Sequence, residues 1–305
     1  MNVIFRKCRS LVWRILGIDK INVSLRTEIS RNSRLQEEVL TLQYFLNHLN
    51  DINTLPVTPN KDLRIMQECD AILLQIFDKV CKKHNLTYWL DWGTLLGSIR
   101  HNGFIPWDDD MDVCMPRADY ECLLMAMDSE SQKLVDGLEY KKDIHNELNP
   151  FCCTRIGIGY KHNQTGIWLD VFPMDSIVVD DVDKCSWVRA MDFYSKQGGW
   201  NHLYQEGNAT RKFVFCPGDS YNTLPWKEEW LYPLTKHEFE GHLFPVPYMY
   251  DKWLERIYGN YMSFPKTGVE HHDLGRGALC TWAKRNSVDM NVIKQELSSI
   301  LDRFD

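Results

Sequence analysis

The stretch that decides the fold runs from residue 88 to residue 120 and reads YWLDWGTLLGSIRHNGFIPWDDDMDVCMPRADY. Four aspartates fall within five positions of it: Asp108, Asp109, Asp110 and Asp112. Apolar residues flank this acidic run on both sides, so we expect it to be partly buried. Two like charges roughly 4 Å apart repel by about 1 kcal/mol in water and by about 4 kcal/mol at an effective dielectric near 20. Partly buried carboxylates at this density need a counter-ion or must take up protons.

The spacing of the aspartates indicates which kind of ion and which kind of reaction the site suits. Residues 111–115 alternate apolar and acidic, which predicts a strand with Asp110 and Asp112 on one face. Two such carboxylates form half of an oxygen cage suited to magnesium or manganese, and this cage suits phosphoryl-group transfer. A solvated acidic loop is the competing interpretation. An EF-hand calcium loop is excluded, because Val113 stands where glycine is needed and Asp119 where glutamate is needed.

Two further features near the acidic run suit a phosphate. Gly93 and Thr94 follow a predicted strand, and such a turn lets the backbone, a hydroxyl and a helix N-terminus approach an anion. An ordinary turn is the alternative. Arg100 and Arg117 flank the run, and guanidinium groups match phosphate oxygens. Structural neutralisation of the aspartates explains these two arginines equally well.

The rest of the chain predicts an α+β fold with a small mixed sheet flanked by helices. Further strands are predicted at 87–90, 152–160 and 166–172, and helices at 24–50, 58–83, 94–100, 116–127, 248–258 and 288–304. Residues 180–235 are aromatic and are predicted to be a loop-rich insertion, either packed as core or lining an acceptor pocket. We divide the chain into an N-terminal helical extension, 1–57, and a catalytic domain, 58–305. The extension is predicted to be a contact to a membrane surface or to a second copy.

Composition excludes several classes. The chain has 305 residues, 44% of them hydrophobic, and a net charge of -7, which argues against a general nucleic-acid binder. Its ten cysteines show no zinc-site spacing and are predicted to be free, mostly buried thiols of a reducing compartment. Residues 1–20 are basic and amphipathic, and no apolar run among them is long enough to span a bilayer. They either lie on an anionic membrane surface or pack on the protein.

The acidic stretch resembles the LicD family, to which phosphocholine transferases and fukutin-related protein belong. The resemblance runs from Leu90 to Tyr120 and continues in GIWLDVFPMD at 166–175 and FEGHLFPVPYMYDKWLERIYGNYM at 239–262. It implies a nucleotidyltransferase-like fold. By the family pattern, Gly93 and Thr94 match the phosphate-side turn and Asp110 and Asp112 match the metal ligands. Asp170 matches the third carboxylate, as ligand or general base, and Asp108 is a second ligand or shapes the turn.

The resemblance also implies an activity. We expect Mg²⁺- or Mn²⁺-dependent transfer of a phospho-alcohol, phosphocholine-like group from a CDP-linked donor to a glycan hydroxyl, in lipopolysaccharide or capsule biosynthesis. The expected location is the cytoplasm or the inner face of the cell membrane. Two alternatives remain open: transfer of a nucleoside monophosphate from a nucleoside triphosphate, and glycan binding by a degenerate, non-catalytic site.

Overall fold

The structure, a computed structural model, describes residues 61–106, 108–128, 137–142, 156–160, 167–182, 184–197, 203–217, 225–262 and 289–304, with a few isolated positions between 24 and 32 and at 135. The chain forms two compact units, residues 1–53 with 265–270 and residues 54–264 with 271–305. The helices, strands and acidic residues described next belong to the second unit. The predicted membrane contact at 1–20 and most of the predicted helix at 24–50 lie outside the described residues, so the division into 1–57 and 58–305 stays a prediction.

A long helix, α1 (Lys61–His84), carries the largest apolar stripe. Met66, Leu73 and Phe77 recur at helical spacing and are almost completely buried. The C-terminal helix α7 (Met290–Leu301) packs against α1 with Ile293 and Leu297, and a short 3₁₀ turn over Asp302–Phe304 follows it. The two helices predicted at these places are confirmed.

The α+β fold class is confirmed, since helices flank a mixed sheet. Its strands lie in the order β1 (Trp89–Leu90), β2 (Asp112–Pro116), β5 (Trp168–Val178), β4 (Ile156–Tyr160) and β3 (Leu138–Lys142). Only β2 and β5 are parallel within this row; the other neighbours are antiparallel. Helix α2 (Trp92–His101) connects β1 to β2, and α3 (Arg117–Asp128) follows β2 directly.

The segment 180–235 is more regular than the predicted loop-rich insertion. Its described part contains α4 (Lys184–Gln197), β6 (Tyr204–Gln205), β7 (Lys212–Phe215), β8 (Trp226–Lys227) and α5 (Glu228–Leu231). The reason is that β5 runs six residues past its predicted end at Phe172, and its last four residues pair with β7. Tyr194 and Phe215 of this part are buried in a second small core, which favours the packing interpretation of these aromatic residues.

The chain then forms a hairpin, β9 (Thr235–Phe239) and β10 (His242–Val246), followed by α6 (Tyr250–Tyr258). Trp253 of α6 is fully buried and stacks on Trp226 with ring centroids 4.8 Å apart. Of the five cysteines whose side chains the structure describes, four are buried, and all five are free thiols, as predicted for them. Within the described ranges, no helix has the length and apolar content needed to cross a bilayer.

Candidate active site

The parallel pair β2–β5 brings two of the predicted carboxylates together. Asp112 is the first residue of β2, and its register partner on β5 is Asp170. Residues paired in this way project from the same face of a sheet, so the two carboxylates lie side by side. The Asp170 backbone N–H also donates to the carbonyl oxygen of Met111 at 2.8 Å. On the other side of Asp170, its partner Gly157 has no side chain to cover the carboxylate.

Asp110 lies in the loop that precedes β2, because the strand begins at Asp112 and not at Met111. The predicted same-face alternation therefore does not apply to Asp110. The loop instead gathers Asp110 with Asp108 and Asp109, whose carboxylate oxygens all lie within 4.8 Å of one another. Asp110 also acts electrostatically on Asp112. It thus connects the loop carboxylates to the pair on the sheet.

The N-terminus of α2 fixes this geometry. Thr94 is buried, and its hydroxyl oxygen accepts the backbone N–H of Asp112 at 2.8 Å. Gly93 lies in the first turn of the helix, where an added Cβ would come within 3.0 Å of an Asp108 carboxylate oxygen. In this structure the missing side chain of Gly93 therefore makes room for Asp108. Whether the same turn also holds a phosphate stays a prediction.

The two predicted phosphate-binding arginines lie in different places. Arg100, near the end of α2, is electrostatically close to Asp108, and its Nη1 donates to the Tyr261 carbonyl oxygen at 3.3 Å. Arg117 begins α3 at the far end of β2 and makes a two-point ion pair with Asp175, with N–O distances of 3.1 and 2.6 Å. This placement favours a structural role for Arg117 and keeps Arg100 at the site.

Burial and mutual repulsion perturb these acids. The pKa of Asp108 is raised well above its ordinary value, first by burial and then by the charge of Asp110. The pKa of Asp112 is raised for the same reasons, with Asp110 and Asp170 as the neighbouring charges. Such groups bind protons in the absence of a cation, and a bound cation reverses that preference.

Two residues of α1 belong to this region and were not among the predicted site residues. Asp70 is 2% exposed, and the charges of Asp109 and Asp110 act on its carboxyl. Gln67 is completely buried and donates from Nε2 to the Asp108 backbone carbonyl oxygen at 2.9 Å. The available signal in the sequence was a carboxylate inside the apolar stripe of a helix, between Met66 and Leu73. Helical spacing alone does not say what such a residue faces.

The collected side chains fit a hard divalent cation. The donors are oxygen atoms, nearly all of them from carboxylates, and oxygen is the ligand type that magnesium and manganese prefer. Two buried oxygen atoms lie beside the acidic loop, Oδ1 of Asp70 and Oε1 of Gln67. Neither has a hydrogen-bond partner among the described residues. Unsatisfied buried oxygens are costly, so a ligand that supplies positive charge there is favourable.

The raised pKa values of Asp70, Asp108 and Asp112 predict an unusual pH dependence of stability. Each folded-state pKa lies above the unfolded one, so stability is fully present below the unfolded pKa and is lost as pH rises through the folded pKa. With chelator, we expect the melting temperature to fall as the pH is raised from about 4, the ordinary pKa of an aspartate, towards the raised pKa values of the folded protein. Added Mg²⁺ should raise it more at the higher pH. Scanning calorimetry across this range checks the prediction, and a chelated protein that gains stability with pH contradicts it.

Comparison with known proteins identifies the family of the chain. Residues 85–249, more than half of the chain, match the family described as LicD/FKTN/FKRP, nucleotidyltransferase domain. The chain is 25% identical over 245 residues to the lipopolysaccharide cholinephosphotransferase LicD of Haemophilus influenzae, covering 67% of this chain and 92% of that protein. It is 29% identical over 140 residues to an uncharacterised protein of Rickettsia prowazekii, covering 41% and 52%. It is 22% identical over 204 residues to the mouse ribitol 5-phosphate transferase FKRP, covering 66% and 33%.

Proposed function

This chain belongs to the LicD/FKTN/FKRP nucleotidyltransferase-domain family, and from that premise we propose its reaction. It is a phosphotransferase of the LicD type. We propose that it transfers a phospho-alcohol group, phosphocholine in the first instance, from a CDP-linked donor to a hydroxyl of a cell-surface glycan or its lipid-linked precursor. The observation that carries the proposal is the register pairing of Asp112 with Asp170 beside the Asp108–Asp110 loop.

The proposed roles follow from placement. Asp110, Asp112 and Asp170 hold a divalent cation, Mg²⁺ or Mn²⁺, which when bound neutralises charge on the donor pyrophosphate. The direct neighbourhood of Asp112 and Asp170 favours a ligand role for Asp170 over that of a general base. Thr94 fixes the backbone of Asp112, and Gly93 leaves room for Asp108. Arg100 is the cation that we assign to the donor phosphates.

The acceptor hydroxyl oxygen attacks the phosphorus that bears the alcohol, the bond from that phosphorus to the CMP oxygen breaks, and the hydroxyl proton passes to a carboxylate or to water. CMP leaves. We place the reaction in the cytoplasm, since the described thiols are free and therefore fit a reducing compartment. We propose that residues 1–20 contact the inner face of the cell membrane.

The test is the identity of the nucleotide product. Purified protein is incubated with a panel of CDP-linked alcohols, including choline and ribitol, with glycan acceptors and with Mg²⁺, Mn²⁺ or chelator. We expect cation-dependent release of CMP from one donor, with the alcohol phosphate on the acceptor. If pyrophosphate appears from a nucleoside triphosphate, nucleotidyl transfer replaces the proposal. Glycan binding without any turnover supports a non-catalytic role.

A further inference from the structure

On its buried face beside the acidic loop, α1 has two side-chain oxygen atoms that accept no hydrogen bond from the described residues. They are Oδ1 of Asp70 and Oε1 of Gln67, and neither has a partner among the described residues. The two residues are three positions apart, so they lie on the same side of the helix. Asp70 and Gln67 are 2% and 0% exposed, so solvent does not satisfy these atoms.

Both side chains are fixed against the site by their other atoms. The Gln67 amide donates to the backbone carbonyl oxygen of Asp108, which places its remaining oxygen beside the acidic loop. The Asp70 carboxyl receives the backbone N–H of Trp168, two residues before Asp170 on β5. Asp70 therefore lies between the loop of Asp108–Asp110 and the start of the strand that carries Asp170.

Buried oxygen atoms that have neither a hydrogen-bond partner nor a bound ion destabilise the fold. A buried polar atom without a partner is destabilising, and a buried ionised carboxyl without a counter-charge is more so. Asp109 and Asp110 add repulsion to the same carboxyl. A divalent cation removes both costs, because it binds the free oxygens and offsets the negative charge.

We propose that Asp70, assisted by the side-chain oxygen of Gln67, is a further oxygen ligand of the divalent cation that Asp110, Asp112 and Asp170 are proposed to hold. This inference rests on the proposed function, because it assumes that the aspartate cluster holds a cation. It extends the cation site from the loop and the two strands to helix α1. Cation binding then joins α1 to the loop of Asp108–Asp110, and α1 is held more firmly when the cation is bound.

The test compares two substitutions at one position by Mn²⁺ affinity, measured by titration calorimetry and by electron paramagnetic resonance of free Mn²⁺. Asp70→Asn and Asp70→Leu both remove the charge and have nearly the shape of aspartate, but only asparagine retains an oxygen. If Asp70 is a ligand, we expect the leucine variant to bind Mn²⁺ at least about tenfold more weakly than the asparagine variant. Equal affinities of the two variants overturn the ligand role, since charge alone then explains the loss.

The control is Asp78→Asn on the same helix. Asp78 is also buried, but its oxygens are taken by the Tyr88 hydroxyl and by Lys82. Its variant should bind Mn²⁺ with the affinity of the unmodified protein. Should Asp70→Leu fail to fold, hydrogen exchange of the unmodified protein decides: Mn²⁺ should slow exchange in α1 by a larger factor than in α7, and equal factors contradict the proposal.

Mn²⁺ binding and transfer activity together separate a failure of the proposed function from a failure of the Asp70 ligand role. An unmodified protein that binds no Mn²⁺ at all removes the cation from the proposed function and this inference with it. An unmodified protein that binds Mn²⁺ and transfers the phospho-alcohol group, while both Asp70 variants bind like the control, removes this inference alone.

Discussion

Asp112→Asn and Asp170→Asn are each expected to reduce the transferase activity by about a thousandfold or more, which corresponds to roughly 4 kcal/mol of lost transition-state stabilisation. The two carboxylates are register partners on β2 and β5, and both are proposed ligands of the cation. The measurement is CMP release at saturating donor and Mg²⁺. An exposed control, Asp192→Asn on α4, should retain full activity.

The same variants distinguish a chemical role from a structural one. In the cation-free protein, burial and the neighbouring charges of Asp110 and Asp170 raise the pKa of Asp112, so its ionised form is destabilising there. A neutral amide relieves that repulsion. We therefore expect Asp112→Asn to melt at the same or a higher temperature than the unmodified protein in chelator, and to lose the stabilisation that Mg²⁺ gives. Loss of activity together with loss of the fold is the outcome that contradicts this account.

Asp91→Ala is expected to destabilise the protein by about 3–6 kcal/mol, the largest effect on stability that we anticipate. Asp91 is 1% exposed and caps the N-terminus of α2. Its carboxylate accepts N–H groups from Trp89 Nε1 at 3.0 Å, Trp253 Nε1 at 2.9 Å and the Trp92 backbone at 2.8 Å. Alanine removes the acceptor of all three donors and leaves the two indole N–H groups buried, and each buried unsatisfied donor costs about 1–3 kcal/mol.

Urea denaturation followed by tryptophan fluorescence measures this loss. Two variants separate the contributions. Asp91→Asn retains one acceptor oxygen and should lose less than the alanine variant, while Trp253→Phe removes a single donor and retains most of the ring stacking on Trp226. A loss below about 1 kcal/mol for Asp91→Ala would show that water replaces the carboxylate, and the capping role of Asp91 would then be minor.

The local sequence determined several of the helices and strands and the position of the acidic site. The alternation around Asp112 predicted β2 to within one residue at each end, because a period of two is the direct consequence of strand geometry. The apolar stripes likewise predicted α1 and α7, and the unusual density of aspartates predicted a charged, partly buried site. The resemblance to the LicD family identified Asp170, which lies 58 positions after Asp112, as part of that site.

Only the tertiary structure decided which side chains meet. The pairing of β2 with β5 places Asp170 beside Asp112, and the same strand continues into a second sheet, so residues that seemed a loop-rich insertion form part of the fold. Arg100 and Arg117 lie on either side of the acidic run in sequence, yet Arg117 is held by Asp175 whereas Arg100 remains near Asp108. Asp70 and Gln67 were not predicted, because a helical stripe gives the buried face of α1 but not the loop that covers it. The physical reason is common to all these cases: local periodicity sets the direction of each side chain, whereas pairing between strands and packing between distant elements decide what it contacts.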